Sequence, residues 1–403
     1  LLTEVIADAN LTARISGAIT DGKYTDALIA LAEMRIRGEA PKLGALCRWV
    51  RDLDVISGVN LHGDDITKPQ VAKDHSNVER IRVVDSILRV TGPTDSNIEP
   101  SDLLAAGPIF QKPTWNLQKA DESRLPTRQS VLDGSIFRDQ DQALYRNFFR
   151  ILETTPGPQR KPPNLHPAIL YLTSPSTIPL SPTPPTITHE KHPHVPNLSL
   201  MLNVFTPQEC HAIVAATETI GFLPDAPITD AGGAGSSILA HNVYWLTDTA
   251  FHDALWSRVE PFIPPHADGR RARSVNRRFR VYRYVPGAEY RAHIDGAWPP
   301  SGVSPSGTYL YDSSPPSQKQ SSLLTFLIYL NDEFEGGETT FFVPSVKEGT
   351  LNAYPVKPVM GAVAMFPHGE ARGALLHEGT GVRKGAKYII RTDVEFDVEV
   401  GRE

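Results

Sequence analysis

The sequence is poor in cysteine, has no long apolar run and carries no excess of positive charge. Only Cys47 and Cys210 occur in 403 residues, far apart, which argues against a disulfide framework and fits a reducing compartment. No apolar stretch is long enough to span a bilayer, so no membrane partner is expected. The formal net charge of -6 gives no global basic field, so no nucleic-acid partner is expected either. No signal-peptide pattern is visible. The chain opens at Leu1 rather than Met, which leaves room for an upstream piece, and the expected location is cytoplasmic or nuclear. With 40% hydrophobic residues the chain can bury at least one large core, and its length allows two or three domains.

The first half carries little recognisable chemistry. Residues 1–55 read as short helices, with Tyr24, Ala27, Leu28, Leu31 and Ala32 at helical spacing after the Asp21-Gly22 turn. The stretch from Gly22 to Met34, with Gly38 and Pro41, looks a little like one pentatricopeptide unit. A repeat needs several copies to bury a face, and without a second copy it reads as an ordinary helical hairpin. A short strand is expected at Ile81–Val90. A helix is expected over 139–153, with Leu144, Phe148, Ile151 and Leu152 on one stripe. From Pro156 to Pro196 prolines recur every few residues, so 156–197 reads as a linker, or a belt along the next domain. His189, His192 and His194 lie there and read as solvated loop histidines, since no Cys or carboxylate cluster completes a metal site. The division expected is 1–155 mainly helical, 156–197 linker or belt, and 198–403 catalytic.

The second half is where spacing implies chemistry. Thr206-Pro-Gln-Glu209 is a capping box with Pro at the first helical position. Residues 279–285 then alternate as a strand, Phe279 and Val281 to one side, Arg280, Tyr282 and Tyr284 to the other. The run Arg283-Tyr-Val-Pro-Gly-Ala-Glu-Tyr-Arg-Ala-His-Ile-Asp295 follows. It sets His293 and Asp295 two apart, and residues i and i+2 of an extended segment project to the same side. An imidazole and a carboxylate so placed can share a metal ion, with His377 the best third ligand. Two His and one carboxylate with open positions opposite suit non-haem Fe(II). His368, near His377 but outside this set, reads as structural. Many short strands with Gly and Pro turns argue for a sandwich or jelly-roll barrel. On the last strand Tyr388, Ile390, Val394 and Phe396 form an apolar face, and Lys387 and Arg391 lie on the other. A polar face inside a barrel needs an anion or solvent.

Four motifs occur in order. They are Tyr284-x-x-Gly287-x-x-Tyr290-x-x-His293-x-Asp295, Leu330-Asn331-x-x-Phe334-Glu-Gly-Gly-Glu338-Thr339, Pro358-x-x-Gly361-x-x-x-x-Phe366, and His377-Glu-Gly-x-x-Val382-x-x-Gly385-x-Lys387-Tyr388. Through them residues 198–398 resemble the Fe(II)- and 2-oxoglutarate-dependent dioxygenases, and within these the prolyl 4-hydroxylase catalytic domain. The resemblance implies an α+β fold with a double-stranded β-helix (jelly roll) and flanking helices. It implies His293, Asp295 and His377 as iron ligands. It implies Lys387 as the partner of the far carboxylate of 2-oxoglutarate, with Tyr284 and Thr339 hydrogen-bonding that carboxylate. Arg391, whose fork suits a carboxylate, is the alternative anchor. Tyr290 matches a position near the substrate pocket.

The expected activity is hydroxylation of an unactivated C–H bond, with Fe(II), 2-oxoglutarate and O2, and with ascorbate as a further helper. A peptidyl proline in a protein or peptide is the favoured substrate, and a small molecule is the alternative. A non-catalytic interaction protein on a relic oxygenase fold is the alternative of another class; the complete ligand set argues against it. Arg280 and Arg283 extend a basic run, Arg270, Arg271, Arg273, Arg277 and Arg278, that could seat an acidic peptide or simply be a solvated edge. Two departures leave the substrate open. The segment after Tyr388 runs Ile-Ile-Arg-Thr-Asp-Val, and a long Pro/Ser/Gly insert occupies 299–320. Such inserts are commonly lids, and Tyr309, Leu310 and Tyr311 are expected to cover bound substrate.

Overall fold

The computed structural model describes residues 10–57, 75–97, 107–119, 126–160, 166–224 and 240–398. The first nine residues of the helical region and 161–165 of the Pro-rich segment therefore lie outside the described residues. The helices are α1 (Leu11–Thr20), α2 (Tyr24–Ile36), α3 (Leu43–Asp52), α4 (His75–Thr91), α5 (Thr127–Leu132), α6 (Gln142–Phe148), α7 (Pro207–Ile220) and α8 (Thr249–Val259). Strands before the first motif are β1 (Ile109–Gln111), β2 (Phe149–Thr155), β3 (Ala168–Thr173), β4 (Thr188–Lys191), β5 (Ser199–Leu202), β6 (His241–Leu246), β7 (His266–Ala267) and β8 (Arg270–Val275). The motifs then ride on β9 (Arg278–Tyr284), β10 (Tyr290–His293), β11 (Gly302–Val303), β12 (Tyr309–Leu310), β13 (Gln320–Tyr329) and β14 (Glu335–Gly336). The last strands are β15 (Thr339–Pro344), β16 (Leu351–Val356), β17 (Val363–Pro367), β18 (Leu376–Gly379), β19 (Val382–Lys384) and β20 (Lys387–Asp397).

Two sheets face each other as a jelly roll. The smaller runs β1-β16-β15-β18-β10, and the larger runs β2-β3-β6-β9-β20-β13-β17-β5-β4. Period-2 alternation sorts their side chains into layers. Between the sheets lie Tyr282, Tyr284, Leu327, Tyr329, Phe341, Phe366 and Ile389. The outer face of the large sheet buries Phe279, Val281, Phe326, Ile328 and Ile390 against α7 and α8. The outer face of the small sheet buries Phe342, Leu351, Ala353 and Leu376 against α1 to α4. The capping box opens α7 as its sequence dictates: the Glu209 amide donates to Thr206 Oγ1 (3.1 Å) and the Thr206 amide to Glu209 Oε2 (2.8 Å). Glu209 is also buried against Arg258 at 2.7 Å, which ties α7 to α8.

Two local expectations are corrected. The strand expected at 81–90 is part of α4, because Ile81, Val84, Ile87 and Leu88 are buried at helical spacing and the packing they gain outweighs β-branched propensity. The helix expected to 153 ends at Phe148, and Phe149–Thr155 becomes an outer strand paired with β3. Its supposed stripe is not a buried face, since Phe148 and Ile151 are exposed. The Pro-rich segment supplies β3 and β4 to opposite ends of the large sheet. His192 in it is buried, not solvated: its Nδ1 accepts from the amides of His194 and Val195, and burial pushes its pKa down to about 4.

Candidate metal and 2-oxoglutarate site

His293 and His377 are register partners across β10 and β18, so their rings meet between the sheets with centroids 4.3 Å apart. Asp295 follows two residues on and lies on the same side. Its Oδ1 is 3.5 Å from His293 Nε2 and its Oδ2 is 3.6 Å from His377 Nε2. One donor atom from each of the three lies within 4.8 Å of the others. Each Nδ1–H is spent on the carbonyl two residues back, His293 on Arg291 (2.7 Å) and His377 on Leu375 (3.1 Å). That fixes the tautomer and turns both Nε2 lone pairs inward, as ligation of a metal requires. Burial and the neighbouring His293 push the His377 pKa down to about 3, so it stays neutral. Burial alone would raise the Asp295 carboxyl. The Arg391 guanidinium overcomes that and holds it well below the carboxylate range. Two neutral imidazoles and one anionic carboxylate fit Fe(II) in donor type and charge.

The second shell is built by strands that alternate into the same space. Thr325 Oγ1 donates to Asp295 Oδ2 at 2.8 Å. Phe341 stacks on His377 at 5.7 Å and Phe366 meets it edge-on at 4.7 Å. The Tyr290 ring lies 4.2 Å from that of His293.

One pocket joins the triad to nearly all the other candidates. Tyr284, Thr339 and Lys387 line it, with Tyr290, Arg280 and Arg391. Lys387 pairs in register with Tyr284 across β9 and β20. It is buried, and its ammonium sits over the rings of Tyr284 (5.6 Å) and Tyr329 (5.9 Å). Among the described residues it makes no ion pair. Burial pushes its pKa down to about 8, with Glu338 opposing. The hydroxyls of Thr339 and Tyr329 are 2.9 Å apart. Gly337, at φ 70°, gives the lysine stem its room: a Cβ there would meet the Phe334 ring at 2.7 Å and Lys387 Cδ at 3.3 Å.

Arg391 is placed differently from the anchor it was offered as. Its Nε lies 3.1 Å from Asp295 Oδ1, an ion pair without hydrogen-bond direction. Its Nη2 donates to Gly296 O (3.0 Å) and Asp393 Oδ1 (3.1 Å). Burial works against that charge, and Asp295 and Asp393 more than offset it. Tyr309 and Tyr311 do not line the pocket. The Tyr309 ring packs with Val303 on Leu170, Leu172 and Leu246, its hydroxyl 3.0 Å from Ser301 Oγ. Tyr311 is exposed against Trp298. His368 is fully buried, with Nε2 2.9 Å from Ser322 Oγ. Sequence reasoning missed Thr325, Leu327 and Tyr329, and it left Ile389 out although that residue lines the pocket. Period-2 alternation along β13 and β20 was the signal that finds them.

No curated protein matches the chain. Among solved structures, the chain is similar to the 2-oxoglutarate complex of a viral collagen prolyl hydroxylase from Paramecium Bursaria Chlorella virus-1, at 20% identity over 50% of this chain and 97% of that one, TM-score 0.33. It is similar to a Pseudomonas putida prolyl-4-hydroxylase at 15% identity, over 51% of this chain and 94% of that one, TM-score 0.30. A Trichoplax adhaerens prolyl hydroxylase, solved with a hypoxia inducible factor peptide fragment, is similar at 15% identity over 44% and 70%, TM-score 0.28. Residues 279–392, which hold the triad and Lys387, match the family model of the 2OG-Fe(II) oxygenase superfamily.

Proposed function

We propose that the protein is an Fe(II)- and 2-oxoglutarate-dependent hydroxylase of unactivated C–H bonds, acting on a peptidyl proline. The observation that carries this is one pocket holding His293, Asp295 and His377 beside the buried ammonium of Lys387, which makes no ion pair among the described residues. His293 Nε2, His377 Nε2 and the Asp295 carboxylate would hold the iron. When bound, the iron supplies the oxidising chemistry, in which 2-oxoglutarate, O2 and R–H become succinate, CO2 and R–OH. The Lys387 ammonium would pair with the far carboxylate of 2-oxoglutarate, and the Tyr284 and Thr339 hydroxyls would donate to it. Leu327 and Ile389 supply apolar wall that limits water beside that polar group. Tyr290 and Arg280 line the same pocket and would meet substrate. We assign Tyr309 and Tyr311 to substrate covering only if the insert moves on binding. Proline as the target rests on the motif resemblance, and ascorbate as a reductant rests on it too. We keep 198–403 as the catalytic unit, with 156–197 as its belt and 1–155 as the helical region. No described helix is long and apolar enough to cross a membrane.

Succinate release, with Fe(II), 2-oxoglutarate and a panel of proline-rich peptides and small molecules, tests this. Peptide-stimulated turnover supports the proposal, and stimulation by small molecules alone moves the substrate to that class. The absence of any 2-oxoglutarate turnover overturns the enzyme.

A further inference from the structure

The strand that carries His293 and leads into Asp295 is an outer one. Among the described residues β10 is bonded only to β18, and its register slips between Tyr290 and His293. An edge strand with a bulge is poorly suited to fix one ligand, and a second just beyond its end, by itself. The N-terminal helices cover this edge. Alternation points His293 and Asp295 into the pocket, and sends Ala292 and Ile294 backward into the core formed by α1 to α4. The Ala292 amide donates to Ser57 Oγ at 2.7 Å. Ser57 Oγ in turn donates to Asp54 Oδ2 (2.6 Å), which also accepts from Arg291 Nε at 2.8 Å. Asp54 Oδ1 takes the amides of Ile56 and Ser57, both at 3.0 Å, so the turn that presents Ser57 is itself fixed. Cys47 Sγ donates to the Ile294 carbonyl at 3.3 Å. Beyond Asp295, the Gly369 amide donates to its carbonyl at 3.0 Å, and a Cβ on Gly369 would meet Leu43 of α3 at 1.9 Å. Contacts from 43–57 thus reach residues 291, 292 and 294, and border the backbone of Asp295.

We infer that the α3 segment and the turn after it, through Ser57 and Asp54, are positioning elements for the metal ligands, so that the N-terminal region completes the metal site. This rests on the proposed metal role of the triad. Ser57 replaces the missing strand on the outer edge of β10 and sets the backbone from which His293 projects. Loss of an outer hydrogen bond to a ligating side chain costs about 10–100-fold in metal affinity, and a tether on the adjacent backbone belongs at the low end of that range.

The test uses the full chain freed of metal and titrated with Co(II), read by its absorption, alongside thermal melting. Ser57→Ala should weaken Co(II) binding about tenfold at a temperature where the protein is fully folded. Ser57→Thr, which keeps the hydroxyl, should restore it. Asp54→Asn keeps one acceptor for the turn and loses the one facing Ser57 and Arg291. It should weaken binding in the same direction, and it carries the test if Ser57→Ala does not fold. Arg14→Ala removes a 2.9 Å ion pair to Glu33 elsewhere in the helices and should bind Co(II) as the parent does. Parent-like affinity in Ser57→Ala and Asp54→Asn, with binding lost in His377→Ala, overturns the inference and leaves the metal site standing. Parent-like affinity in His377→Ala overturns the metal site and the inference with it.

Discussion

Arg391 Nε lies 3.1 Å from Asp295 Oδ1, and the same guanidinium bonds Asp393 and the Gly296 carbonyl. A side chain so committed is a clamp on Asp295 and on the backbone that follows it. Lys387 has no such ties among the described residues and remains the better anchor. Lys387→Ala should leave a buried carboxylate unpaired, on the order of 3–5 kcal/mol, and weaken 2-oxoglutarate binding several hundred-fold. Arg391→Ala should leave that affinity nearly unchanged and lower stability by about 2 kcal/mol, less than a fully buried pair because the arginine side chain is 22% exposed. Calorimetric titration and thermal melting of both variants check this. A large 2-oxoglutarate effect in Arg391→Ala alone would reverse the two roles.

The same lysine gives a pH dependence. Burial pushes its pKa down to about 8 in the ligand-free protein, from an unfolded value of 10.5. Above pH 8 the ammonium must take up a proton to pair with the dianion. The dissociation constant for 2-oxoglutarate should therefore rise towards tenfold per pH unit above 8 and stay flat below 7.5, as far as this group goes. The sign for stability is opposite. Between 8 and 10.5 the unfolded chain binds more protons at this site, so its contribution to folding becomes more favourable as pH rises. A binding profile flat to pH 9.5 would show that the ammonium keeps its proton through that range.

Removing a triad member should remove the metal. His293→Ala, Asp295→Ala and His377→Ala should each abolish 2-oxoglutarate turnover and reduce bound iron to background, measured by elemental analysis of reconstituted protein. His377→Ala also empties the space packed against Phe341 and Phe366, so a fall in stability of roughly 2–3 kcal/mol should accompany the loss. Iron retained at the parent's level by any one variant would strike that residue from the set.

The pocket was legible because its chemistry is local in sequence. His293 and Asp295 are two apart on a strand, and the motif around Lys387 supplies a lysine where two strands place Tyr284 opposite it. What could not be read was what long-range packing decides. The residues around Ile81 and Val84 read as a strand, and only the small sheet beneath them makes them a helix. Arg391 read as the alternative carboxylate anchor because its partner Asp295 depends on how the two sheets close. Ser57 gave no signal, since its partner is the Ala292 amide, 235 positions on in the chain. Tyr309 and Tyr311 read as one apolar cluster, and the end of β12 at Leu310 splits them.

That split gives the last prediction. Tyr309 secures the insert to the end of the large sheet, over Leu170, Leu172 and Leu246, so Tyr309→Ala should cost about 1–3 kcal/mol of stability. Tyr311 is 55% exposed, so Tyr311→Ala should change stability by no more than about 0.5 kcal/mol. Its ring is 5.1 Å from Trp298, over which Arg278 stacks at 4.3 Å, and Arg278 shares a strand face with the pocket residue Arg280. Tyr311 is thus the ring of the insert still free to meet a substrate that extends out of the pocket. If the insert is a lid, deleting 303–317 should raise the substrate KM strongly, and Tyr311→Ala should reproduce part of that rise. Uncoupled 2-oxoglutarate decarboxylation should persist in both, because the triad and Lys387 are untouched. Substrate kinetics equal to the parent's in Tyr311→Ala and in the deletion would make the insert a surface excursion held down by Tyr309.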